Sequence, residues 1–119
     1  MTETNASKAH LPIDIASALD RIGGDESFLY DLVRIYIEDF LEKFERLQES
    51  VESENFEVIK DIGHNLKGSS ANLSLPYLQE ISCKIENAGK EHNIDKAREN
   101  LSLLEEEFHR LKNFVMNKT

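Results

Sequence analysis

The sequence predicts an all-α fold, an antiparallel up-down-up-down four-helix bundle with an additional short N-terminal helix. Three observations carry this expectation. Apolar residues recur at steps of three and four through almost the whole chain after residue 12. No run alternates apolar and polar residues between turn signals, as a half-buried strand would. The breaks between helical runs are short, and short connections favour antiparallel neighbours.

The elements follow in order. Ile13, Ala16 (or Ile15), Leu19 and Ile22 make a short helix that stops at Gly23-Gly24. Asp25 caps the next helix by accepting from free amides of its first turn. Leu29, Leu32, Val33, Tyr36, Phe40, Phe44, Leu47 and Val51 trace one long stripe, which frays near Ser53-Glu54-Asn55. A third helix buries Ile59, Ile62, Leu66 and Leu73. Pro76 starts the fourth, since proline is tolerated in a first turn but not deeper. Leu78, Ile81, Ile85 and Ala88 form its stripe, and Gly89 is expected to end it. The last helix runs through Ile94, Ala97, Leu101, Leu104, Phe108, Leu111 and Val115, in the alternating three-four steps of a bundle seam. Residues Met1 to His10 are polar and aperiodic and read as a tail or linker remnant, which leaves residues 11–119 as the bundle domain.

The 119 residues suit one domain. A formal net charge of −9 repels nucleic acid and anionic membrane surfaces, so neither is an expected partner. The same charge keeps a small domain soluble. Cys83 is the single cysteine, which rules out an internal disulfide and suits a reducing cytoplasm. No segment is apolar for long enough to span a bilayer or act as a signal peptide. A monomer is expected.

One stretch breaks the rules of a generic bundle. Asp61-Ile62-Gly63-His64-Asn65-Leu66-Lys67-Gly68-Ser69-Ser70-Ala71 holds two glycines inside a helix. Each costs roughly 1 kcal/mol relative to alanine, which suggests a packing or functional reason. On a helical wheel His64 lies opposite Ile62 and Leu66 and faces outward. Lys60, Lys67 and Gly68 share its face, with Ala71 one turn further on. Gly68 leaves room for a bulky group on the imidazole or for a partner's backbone. The two lysines place positive charge beside the ring, which suits a phosphoryl group or an acidic partner pocket. An imidazole with an ordinary pKa near ~6.5 is a good nucleophile in its neutral form. One nitrogen can attack phosphorus while an acceptor holds the other as N–H. No such acceptor sits on the same helix face, because Asp61 is angled away, so the neighbouring antiparallel helix is the place to look for one.

Other readings compete. His64 on its own is an ordinary surface histidine, and Lys60 and Lys67 an ordinary charged face. Glu57, Asp61 and His64 lie near one another, but no second histidine stands at helical spacing to complete a metal site. His10, His92 and His109 read as surface residues, and Ser69 and Ser70 as side chains bonded to helix carbonyls.

His64-Asn65-Leu66-Lys67-Gly68-Ser69-Ser70-Ala71-Asn72-Leu73 resembles the signature of histidine phosphotransfer domains of two-component phosphorelays. Ala18 to Asp25 resembles that family's run ahead of its long helix, and Leu78 to Glu86 its fourth helix. The resemblance implies that His64 accepts a phosphoryl group from a receiver-domain aspartate and passes it to another receiver. Lys67 and Gly68 match the family's supporting lysine and glycine. Glu86 falls where many members place the side chain that orients the imidazole, although on a wheel it reads equally as an exposed helix residue. The sequence departs at Gly63, where the family often has alanine, and at Ser74, where it usually has glycine. The implied partners are response-regulator receiver domains, which bring Mg²⁺; the chain itself needs no cofactor. It has no nucleotide-binding motif, so the expectation is a carrier without ATP-dependent kinase activity. Free-standing protein and C-terminal piece of a hybrid sensor kinase both fit. The linker-like first residues point to attachment in cis, including to an inner-membrane parent. A docking module without phosphoryl transfer and a pocket enzyme are the other function classes, and the wheel shows no convergent polar pocket for the last.

Overall fold

The computed structural model describes residues 11–117. The tail expected at residues 1–10, His10 included, and the last two residues of the expected domain lie outside them. Five helices and no strand occur among the described residues: α1 (Ile15–Ile22), α2 (Glu26–Glu52), α3 (Phe56–Asn72), α4 (Pro76–Glu91) and α5 (Ile94–Met116). Helices α2 to α5 pack each on the next, and α5 closes the ring onto α2. The α3–α4 pair is the most extensively packed. Helix α1 leans on α2.

Local chemistry sets the boundaries. Asp14 and Asp25 accept from Ser17 N and Phe28 N at the starts of α1 and α2, and Asn55 and Asn93 do the same for α3 and α5. Gly23 and Gly24 end α1 with φ of 86° and 89°, which glycine adopts without steric cost. Pro76 occupies the first turn of α4. That helix does not stop at Gly89, as the sequence suggests. It runs on to Glu91 and ends where His92 turns left-handed. Ser74 also adopts a positive φ, 57°, so the turn keeps a glycine-like conformation without a glycine. Its carbonyl accepts from Asp14 N at 2.8 Å and its hydroxyl meets that of Ser17 at 3.2 Å. Those bonds tie the start of α1 to the α3–α4 turn.

The core follows the predicted stripes. Leu29, Val33, Phe40, Leu47, Ile59, Leu66, Leu78, Ile85, Leu104 and Leu111 are all buried. Leu32, Phe44, Leu73, Ile81 and Leu101 are half-buried at its rim. Phe40 stacks on Phe108 with ring centroids 4.1 Å apart and joins α2 to α5. Ser70 is fully buried and shares a 2.7 Å hydrogen bond with the Tyr36 hydroxyl. This corrects its expected bond to a helix carbonyl, and the pair joins α2 to α3. Ser69 does bond the carbonyls of Asn65 and Leu66.

Glu107 is a buried carboxylate on α5 that accepts from Arg110 at 2.8 and 3.0 Å. Burial pushes its pKa above the ordinary 4.5, partly countered by Arg110. Between the unfolded and folded values the native state holds more protons. Its contribution to stability therefore falls as pH rises through the folded value. The effect of Glu107→Gln on unfolding free energy should thus be more favourable at about pH 7 than at about pH 4. Urea midpoints of both proteins at the two pH values check this; an equal difference at both refutes it.

Candidate functional site

Helices α3 and α4 build the site together. His64 lies mid-α3 with 70% of its side chain exposed. Its Nδ1 is 3.0 Å from Oε2 of Glu86 on α4, whose side chain is only 6% exposed. Glu86 is therefore not the exposed helix residue that its own wheel allows. It is buried by α3, the neighbour that the wheel of α4 cannot show.

Glu86 gathers cations. Lys67 Nζ lies 2.7 Å from Oε1 and Lys90 Nζ 3.5 Å from Oε2. Lys67 and Glu86 therefore form a close ion pair across the two helices. Lys67 is the main cause that holds the Glu86 carboxyl below its ordinary range; burial opposes it and the His64 bond assists it. In turn Glu86 raises the Lys67 ammonium above its ordinary range. An ionised carboxylate only accepts, so the His64 nitrogen facing it is the N–H. In a neutral ring that arrangement puts the lone pair on the outward Nε2.

The other predicted residues stand in different relations to the ring. Lys60 pairs with Glu57 at 3.0 Å and approaches Asp61 at 4.0 Å, so its charge is engaged away from the imidazole. Gly68 is exposed, and a Cβ there would meet nothing within 4 Å. Ala71 is half-buried and lines a shallow cleft with Arg21, Ser74 and Gln79. Cys83 is half-buried and shares an apolar groove with Lys67. Among the described residues no three His, Cys, Asp or Glu side chains converge as a metal site requires.

Two contributors escape a reading of the sequence. Lys90 stands four residues after Glu86, a spacing that flags an ion pair once Glu86 is singled out. Lys43 of α2 bridges Asp39 and Asn65, the residue after His64, and no sequence signal marks that contact.

The profile of the Hpt domain family matches residues 31–114, well over half of the chain. The chain belongs to the Hpt domain family. The match begins inside α2, so the upstream resemblance at residues 18–25 lies outside it. This Hpt domain is also 32% identical over 71 residues to the phosphorelay intermediate protein YPD1 of Candida albicans. That alignment covers 60% of the chain and 39% of the relative, so the chain spans about two fifths of the relative's length. No solved structure matches at a significant level. Together the findings support a phosphorelay carrier in general terms. No helix among the described residues is long and apolar enough to cross a membrane.

Proposed function

We propose that this Hpt domain is a phosphorelay carrier that accepts a phosphoryl group on Nε2 of His64 and passes it on to a second receiver domain. The observation that carries the reading is the Nδ1 contact with a buried, ionised Glu86. It leaves Nε2 as the free nucleophile on an exposed ring. The Nε2 lone pair attacks the phosphorus of a receiver's aspartyl phosphate. The P–Nε2 bond forms as the P–O bond to aspartate breaks, and the aspartate leaves as a carboxylate. Nδ1 keeps its proton, and Glu86 meets the positive charge that develops on the ring. Return to a second receiver reverses these bond changes. The partner supplies Mg²⁺, and the chain contributes no nucleotide chemistry of its own.

Docking uses the face around His64. Gly68 keeps one side of the ring clear. On α2, Phe28 and Ile35 are exposed, and the Tyr36–Ser70 and Lys43–Asn65 contacts set that helix beside the site helix. A receiver that spans both helices meets the lysines around Glu86 and, further along α2, exposed Ile35. The parent is either free-standing or a hybrid kinase, in a cytoplasmic setting, and the domain acts as a monomer.

The test mixes the domain with Mg²⁺ and a panel of phosphorylated receivers. Acid-labile, base-stable label that maps to the peptide containing His64 supports the reading. A folded domain that binds receivers but takes no label leaves a docking module instead. Gly68→Gln should keep or raise the melting temperature, because a Cβ there meets nothing and glutamine is the better helix former, yet slow transfer at least about tenfold, or about 1.4 kcal/mol. Transfer at the wild-type rate would remove the steric role.

A further inference from the structure

Gly63 and Gly89 are both buried, and each replaces a side chain at the α3–α4 contact with bare backbone. An ideal Cβ on Gly63 would stand 2.5 Å from Glu86 N and 2.9 Å from Glu86 Cα. One on Gly89 would stand 2.5 Å from Lys60 N and 2.8 Å from Lys60 Cα. The two contacts are reciprocal. Gly63 rests on Glu86, three residues before Gly89, and Gly89 rests on Lys60, three residues before Gly63. Gly63 adjoins His64, and the backbone it touches is that of His64's own hydrogen-bond partner.

We infer that Gly63 and Gly89 are positioning residues, whose backbone-to-backbone seating of α3 on α4 sets the His64 Nδ1–Glu86 hydrogen bond. The inference rests on the proposed role of that bond in transfer. Carbon atoms in ordinary contact sit ~3.5–4.0 Å apart, so a methyl at position 63 must push the helices apart by on the order of 1 Å. The Nδ1–Oε2 distance is 3.0 Å, and an added ångström takes it beyond hydrogen-bonding range. The obstacle at both glycines is main chain, which cannot swing aside as a flexible side chain can. Gly68 is different in kind, since a Cβ there meets open space. An alanine at position 63 does not fit this backbone.

The test is ¹⁵N NMR of the His64 ring in the full chain, for wild type, Gly63→Ala, Gly89→Ala and Gly68→Ala. The wild type and Gly68→Ala should show one slowly exchanging Nδ1–H. Gly63→Ala and Gly89→Ala should show mixed tautomers and a faster-exchanging proton. With a receiver that labels the wild type, both should also transfer roughly 10–100-fold more slowly at unchanged receiver affinity, the scale of a lost orienting contact. The ring signature needs no receiver, so it tests the seating even if phosphoryl transfer fails. Folded Gly63→Ala and Gly89→Ala proteins with the wild-type Nδ1–H signal overturn the inference. If neither variant folds, the contact serves the fold as a whole and the positioning role falls.

Discussion

Replacing His64 with glutamine is expected to abolish phosphoryl labelling while the bundle keeps its melting temperature. An amide nitrogen has its lone pair delocalised into the carbonyl, so glutamine offers no nucleophile where Nε2 stood. The structural cost is small, because the ring is 70% exposed and contributes no core packing. Exposed substitutions of this kind usually stay within about 0.5 kcal/mol. Glu86 also keeps partners in the variant. Lys67 and Lys90 remain beside its carboxylate, and the glutamine amide can donate to it. Intact mass after incubation with a phosphorylated receiver reads the label, and thermal unfolding reads the fold. Label that persists in His64→Gln moves the acceptor elsewhere, with exposed His92 and His109 as the first places to map.

The second large effect is on stability. Phe40→Ala should lower the unfolding free energy by about 3–5 kcal/mol, the usual cost of emptying a buried phenylalanine site. Phe40 is 1% exposed and stacks on Phe108 at 4.1 Å and on Phe44 at 5.7 Å, so its removal leaves a buried space among packed rings. Such a loss is a large share of the ~5–15 kcal/mol by which domains are stable. At about 4 °C per kcal/mol the melting temperature falls by roughly 12–20 °C. Urea and thermal midpoints measure it. A loss below about 1 kcal/mol would mean that the aromatic stack joining α2 to α5 adds little to the bundle. Transfer per folded molecule should change far less than in His64→Gln, because Phe40 packs on Phe44 and Phe108, whereas the ring and Glu86 meet at the α3–α4 contact.

Much of the architecture was legible because helical periodicity is local. The alternating steps from Ile94 to Val115 recover α5, and Asp25, Gly23 and Pro76 mark boundaries through the chemistry of caps and first turns. Gly89 shows where local reading fails. A glycine that ends a helix and one that admits a neighbour's backbone look the same in a sequence. Here the second holds, and the helix ends three residues later at a non-glycine. Ser70 fails for a related reason: its partner Tyr36 lies 34 residues away on another helix.

The Hpt signature from His64 to Leu73 and the outward direction of His64 follow from residue types and a 3.6-residue period, both properties of one segment. The sequence by itself therefore determined the helices, their order, the acceptor candidate and the open space at Gly68. Tertiary structure alone decided the electrostatics of that acceptor. Burial of Glu86, its pairing with Lys67 and its contact with the Nδ1 edge of His64 all depend on how closely α4 lies against α3. That distance is a relation between two helices, set by bare backbone at Gly63 and Gly89, and no periodicity within either helix encodes it.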